Sequence, residues 1–272
     1  MKITGIDTYL VDVGSRDLCF VKVRATDGLY GVGEAYSAGP DEATANVIHY
    51  FEQWLVGSDP LDIEGIWQKL YIGSRFPGGS VVYSALSGVD HALWDLKGRA
   101  LNTPVYQLLG GKCRERIQVY QNPGGATPQE TAENFVRLKE RHGFKALKTY
   151  PLPPNLNEIS WPQALRYVDQ KMAYLRLTLG DEIEIGLDPH ARILEPAKAI
   201  EMCQVLAPYH PMFIEEPLRP ENVDAMAAVR AKSPVPIATG EMLYTKWEFR
   251  DLLKVRGADI IQPDICCCGG VT

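Results

Sequence analysis

The chain has 272 residues, 46% of them hydrophobic and 23% charged, with a formal net charge of −6. That length leaves room for more than one domain, and the negative balance offers no electrostatic grip to a nucleic acid or an anionic membrane surface. No apolar run reaches membrane-spanning length, and the opening MKITGIDTYLVDV alternates like a strand without the apolar block of a signal peptide, so a cytoplasmic protein is expected.

In chain order, KITGIDTYLVDV, LCFVKVRATDG and LYGVGEA read as short strands joined by turn residues. From Asp41 the pattern becomes helical, through DEATANVIHYFEQWLV and DIEGIWQKLY to SALSGVDHALWDLKGRAL, where Leu86, Val89, Leu93 and Leu96 share one face. PGG at Pro77–Gly79 breaks two of these helices and predicts a loop. This region, residues 1–113, is expected to be an α+β domain.

The period then changes. RIQVYQN, KALKTYP, EIGLDPH, MFIEEP, PIATGE and DIIQPD read as six short buried strands separated by helical stretches such as PQETAENFVRLKERHG and PQALRYVDQKMAYLRLTLG. This βαβα order, over 114–272, predicts a parallel array, either a (β/α) barrel or a doubly wound sheet. PLPPNLNEISWP predicts a surface loop after the second strand. No GxGxxG or GxxxxGK[ST] follows a strand, which argues against a nucleotide. Six cysteines, three of them consecutive at Cys266–Cys268, show no CxxC spacing and predict free thiols.

Asp188, Glu215 and Glu241 each close an apolar run, about 26 residues apart. One strand, one helix and the next strand take about that length, so all three fall at strand ends, which in a barrel share the rim where active sites sit. Converging carboxylates repel unless a cation lies between them, and a hard divalent ion, most simply Mg²⁺, is expected; the alternative is three unrelated surface acids. Glu216 falls on the opposite side of its strand from Glu215.

HALWDLKGRALNTPVYQLLGG, GFKALKTYP, GLDPH, FIEEP, PIATGE and IIQPDICCCGGVT together resemble the enolase superfamily, in its mandelate racemase / muconate lactonizing enzyme branch, in order and spacing. The resemblance implies an α+β capping domain followed by a (β/α) barrel. It also implies Mg²⁺ held by Asp188, Glu215 and Glu241, and abstraction of a proton alpha to a carboxylate to give an enediolate. Lys148 matches the first lysine of a Lys-x-Lys pattern whose second lysine is often the base; here Tyr150 stands in its place, which weighs against two-base racemisation through this strand. Lys148 either assists the enediolate or acts as acid or base, or only forms a salt bridge. Tyr150 either donates to substrate or packs. His190, two residues after Asp188, is similar to the acid of the acid-sugar dehydratases, where an Asp-x-His histidine protonates the departing hydroxyl; imidazole suits that role. His49, His91, His142 and His210 are expected to be structural.

Asp264 matches an aspartate that pairs with a histidine base on the following strand. That histidine should lie beyond Thr272, and a full barrel takes roughly 250 residues, so an incomplete barrel of about six strands is expected. The leading expectation is a Mg²⁺-dependent acid-sugar dehydratase. The runners-up are a racemase, epimerase or lactonizing enzyme, and, from another class, a truncated non-catalytic homologue. A small sugar-acid carboxylate is the expected partner, in a homo-oligomer. Tyr36, Arg75 and Phe76 are candidates for substrate contact, with no spacing argument to select among them.

Overall fold

The structure is a computed structural model that describes residues 1–37, 39–75 and 78–272. Phe76 and Pro77, and with them the substrate-contact reading of Phe76 and part of the PGG loop, lie outside the described residues. Two compact units divide the chain: residues 1–115 with 241–246 and 263–272, and residues 116–240 with 247–262.

In the first unit, β1 (Ile3–Asp12), β2 (Asp17–Ala25) and β3 (Tyr30–Ala35) form an antiparallel sheet in the order β1-β2-β3. β2 buries alternate residues, Cys19, Val21, Val23 and Ala25, as a strand with one core face does. Three helices follow: α1 (Asp41–Leu55), α2 (Ile63–Gly73) and α3 (Gly79–Ala100), with a short α4 (Val105–Leu108) behind them. The predicted face of α3 is the buried one: Leu86, Val89, Leu93 and Leu96 are all inaccessible to solvent or nearly so. β3 lies against α3 at backbone distance, because a Cβ on Gly31 would come within 1.9 Å of the Ala92 carbonyl oxygen and one on Gly33 within 2.1 Å of that of Gly88. Buried Asp90 of α3 accepts the backbone N–H groups of Val271 (2.7 Å) and Thr272 (3.1 Å), so this polar core residue is satisfied by the 263–272 segment.

The second unit is a parallel sheet in the order β4-β5-β6-β7-β8: Ala146–Thr149, Glu184–Leu187, Phe213–Glu215, Ile237–Thr239 and Ile260–Ile261. The helices between them are α6 (Trp161–Leu179), α7 (Pro196–Leu206), α8 (Val223–Lys232) and α9 (Thr245–Lys254), with α5 (Pro128–His142) ahead of β4. Local chemistry sets the helix ends. Thr127 caps α5 by accepting the Glu130 N–H, Pro128 opens it, and Gly143 ends it at φ 74°. Ser160 and Gln163 form a capping box on α6. Leu147, Ile185, Ile214 and Ile237 of the strands and Phe135, Val168, Met172, Leu175 and Met202 of the helices make one core.

The first of the six predicted barrel strands is corrected. RIQVYQN makes only one parallel bridge, Gln121 with Leu147. Ile117 and Val119 stay 76% and 59% exposed, so five strands pair and the sixth segment only touches the β4 edge. The loop after β4 is as expected, apart from a 3₁₀ turn at Leu156–Glu158.

Asp259 ties β7 to α8. Its carboxylate accepts Arg230 Nε (2.8 Å) and the Ile237 N–H (3.0 Å). Burial pushes its pKa up, but these two donors outweigh burial and hold the carboxyl below its ordinary value. A depressed folded pKa means stabilisation that is present above the unfolded pKa, about 3.9, and lost as the pH falls through the folded one. Asp259→Asn should therefore lower the unfolding free energy by about 1 kcal/mol at pH 7, with a smaller difference towards pH 3. Urea unfolding at the two pH values measures this, and an equal deficit at both would contradict it.

Candidate active site

The ends of four of the five strands of the second unit, β4, β5, β6 and β8, carry one polar cluster. Lys148 comes from β4, Asp188 follows β5, Glu215 ends β6 and Gln262 follows β8. Parallel register aligns these ends: Lys148 lies opposite Gly186, two residues before Asp188, and Glu215 opposite Ala238. Lys148 Nζ reaches Asp188 Oδ2 at 2.8 Å and Glu215 Oε2 at 2.9 Å. Gln262 Nε2 donates to the same Glu215 oxygen at 3.0 Å. Both carboxylates are buried. Burial, and next the Asp188 charge, push the Glu215 pKa up against the pull of Lys148 and Gln262. Burial also opposes the Lys148 charge, but the two carboxylates overcome it and hold the ammonium protonated well above its ordinary range. The Lys148 ammonium lies 5.7 Å from the centre of the Tyr120 ring.

His190 joins this cluster through Asp188, with Nε2 3.1 Å from Oδ2. The route differs from strand alternation. β5 ends at Leu187, and Pro189, which has no N–H for a ladder, follows Asp188. His190 and Ala191 then both take positive φ, 50° and 52°, a conformation that costs free energy for residues with a Cβ. The turn is held by the His190 N–H on Asp188 Oδ1 (3.0 Å) and the Ala191 N–H on the Glu216 carbonyl (3.0 Å). Glu216 is buried, and its carboxylate accepts from Thr239 Oγ1 at 3.5 Å. The Tyr150 and His190 rings lie 5.6 Å apart between centres. A cavity of about 530 Å³ opens beside them, lined also by Asn155, Asn157, Glu158 and Arg192.

The other predicted site residues belong to the first unit. Glu241 accepts the Tyr36 hydroxyl at 3.3 Å, and burial, followed by the Glu241 charge, pushes the Tyr36 pKa up. Asp264 is occupied locally: its side chain accepts the Cys266 N–H at 2.8 Å and its carbonyl accepts those of Cys267 and Cys268. The six cysteines are free thiols. Of the histidines expected to be structural, His49 pairs with Thr8 Oγ1 at 2.9 Å, while His91 Nε2 is buried without a partner.

Among the described residues, no three His, Cys, Asp or Glu side chains are gathered as a metal centre. The donor chemistry of the Asp188–Glu215 pair nevertheless fits a hard cation: two buried carboxylates, mutually repelling, beside a Gln262 Oε1 that is buried without a hydrogen bond. Gln262 and Tyr120 were not singled out in the sequence. Gln262 carried a usable signal, because it follows an apolar run as Asp188 does; Tyr120 lay hidden in a stretch read only as a strand.

Comparison with known proteins agrees with this architecture. Residues 3–110 match the mandelate racemase / muconate lactonizing enzyme N-terminal domain, and residues 130–272 the enolase C-terminal domain-like family. The chain belongs to the mandelate racemase / muconate lactonizing enzyme family of the enolase superfamily, with an N-terminal α+β domain of the capping type and a parallel α/β domain of the barrel type. It is 35% identical to a D-galactonate dehydratase of Variovorax paradoxus over 274 residues, covering all of this chain and 70% of that one. An Agrobacterium radiobacter enolase, a candidate galactarate dehydratase solved with sodium and L-malate, superimposes with a TM-score of 0.95 at 41% identity, covering 100% of this chain and 69% of its own. The 3,6-anhydro-D-galactonate cycloisomerase of Zobellia galactanivorans gives 0.87 at 32% identity, covering 99% and 74%.

Proposed function

We propose that this hydro-lyase dehydrates a sugar acid: it loses the proton alpha to the carboxylate, then the beta hydroxyl as water. The observation that carries the reading is the placement of Lys148 and His190 on one buried carboxylate, Asp188. One supplies a fixed positive charge and the other an imidazole, the two functions that elimination from a hydroxy acid requires. Relatives named as galactonate dehydratase support the same chemistry.

An alpha proton beside a carboxylate is very weakly acidic, so the negative charge that develops on the carboxylate oxygens must be met by preorganised positive charge. Lys148, protonated between Asp188 and Glu215, is suited to that and not to taking the proton itself. Mg²⁺ held by Asp188, Glu215 and Glu241 would add Lewis-acid charge at the same end of the substrate. Hydroxide leaves poorly; His190, 60% exposed in its side chain and lining the cavity, protonates it as it departs. Tyr150, whose pKa burial raises, keeps its proton and donates a hydrogen bond to the substrate. Asp264 is assigned the role of orienting the imidazole base that takes the alpha proton. A racemase or cycloisomerase reading draws on the Zobellia relative, but Tyr150 in place of a second lysine speaks against two bases on this side.

Incubation with a panel of aldonic and aldaric acids tests the reading. A 2-keto-3-deoxy acid should form with Mg²⁺, stop with EDTA and resume when Mg²⁺ is restored. Epimerised or cyclised acid without net loss of water would favour the isomerase reading, and turnover indifferent to EDTA would remove the metal from it.

A further inference from the structure

We propose that Arg192 binds the far carboxylate of a dicarboxylic sugar acid, so that an aldaric acid is preferred over the aldonic acid of the same length. This rests on the sugar-acid reading above and names the kind of acid. The cavity beside Tyr150 and His190 is walled by the segment after β4 and by the turn after β5, and its volume, about 530 Å³, is in the ordinary range for a small-molecule site. Its polar lining is nearly all neutral: the amides of Asn155 and Asn157 and the Tyr150 hydroxyl suit the hydroxyl groups of a polyol chain. Arg192 is its one fixed positive charge, set against the single carboxylate of Glu158.

Its backbone N–H is engaged by the Pro189 carbonyl at 3.2 Å, while its guanidinium forms no salt bridge among the described residues. Arg192 lines the cavity together with Tyr150 and His190, on the substrate side of the turn. A sugar acid whose reacting carboxylate lies at the Lys148 end directs its other end away from that cluster. In an aldonic acid that end is a primary alcohol; in an aldaric acid it is a second carboxylate, which a guanidinium takes with two parallel, charge-assisted hydrogen bonds. Glu158, on the exposed 3₁₀ turn of the same wall, opposes this preference, and Arg192 must outweigh it.

Calorimetric titration of galactarate and galactonate, which differ only at that terminus, tests the assignment in Mg²⁺ buffer. The unaltered chain should bind galactarate about tenfold more tightly. Arg192→Gln should remove the difference by weakening galactarate alone, Arg192→Lys should keep part of it, and Glu158→Gln should widen it. Both Arg192 variants should keep the parent's circular dichroism spectrum, the residue being exposed. Equal affinity for the two acids in the unaltered chain, or equal weakening of both in Arg192→Gln, overturns the role of Arg192 and leaves the sugar-acid reading standing. Binding of neither acid overturns that reading and this inference together.

Discussion

Lys148→Met should cost about 3 kcal/mol of stability and remove turnover. Lys148 is the only cation whose ammonium bridges Asp188 and Glu215 among the described residues, and the side chains of those carboxylates are only 5% and 4% exposed. Taking one partner out of a buried ion pair leaves the other charge desolvated and uncompensated, which costs about 3–5 kcal/mol. The lower end applies here because Gln262 still donates to Glu215 and the His190 N–H still donates to Asp188. Methionine keeps the length of the apolar stem, so the loss is that of the charge, including its place 5.7 Å from the centre of the Tyr120 ring. Mg²⁺ should then stabilise the variant more than the parent, since the paired carboxylates are left without their resident cation. Denaturant titrations with and without Mg²⁺ read both effects. A variant as stable as the parent without metal would mean that the two carboxylates do not depend on Lys148.

The sequence revealed most where structure is decided locally. Thr127, Pro128 and Gly143 bracket α5 because a cap, a fixed φ and a left-handed terminus each act within one turn of chain. The buried face of α3 was visible because helical periodicity places Leu86, Val89, Leu93 and Leu96 on one stripe whatever they meet. Features decided by distant partners were not visible. RIQVYQN has the composition of a strand, but a strand exists only through pairing, and only Gln121 finds a neighbour. That 241–246 and 263–272 are compact with the first 115 residues, although they lie among the later βα repeats, was not visible for the same reason. At the site, the residue types at the strand ends were legible. The Lys148 bridge and the donor role of Gln262 were not, because both depend on which side chains reach one another across an intervening strand.

His190 meets Asp188 by a route other than the one its spacing suggested. Spacing of two along a strand suggested a shared face with Asp188, whereas the two meet through a turn in which His190 and Ala191 adopt left-handed backbone. Such a conformation persists only where surrounding bonds over-determine it, and here Asp188 Oδ1 and the Glu216 carbonyl both do so. His190→Asn should therefore keep the turn, since asparagine tolerates positive φ better than most residues, and should keep binding at the Asp188–Glu215 pair. It should lose dehydration by about 10²–10⁴-fold, the usual contribution of a positioned general acid. Exchange of the alpha proton with deuterated solvent should fall much less, because the asparagine variant removes the proton donor for the second step and leaves untouched both the base of the first step and the Lys148 charge that assists it. Product formation and solvent exchange measured on the same sample separate the two steps. Equal loss of both would place His190 in proton abstraction instead, and dehydration at the parent's rate would remove it from the mechanism and bring the isomerase reading forward.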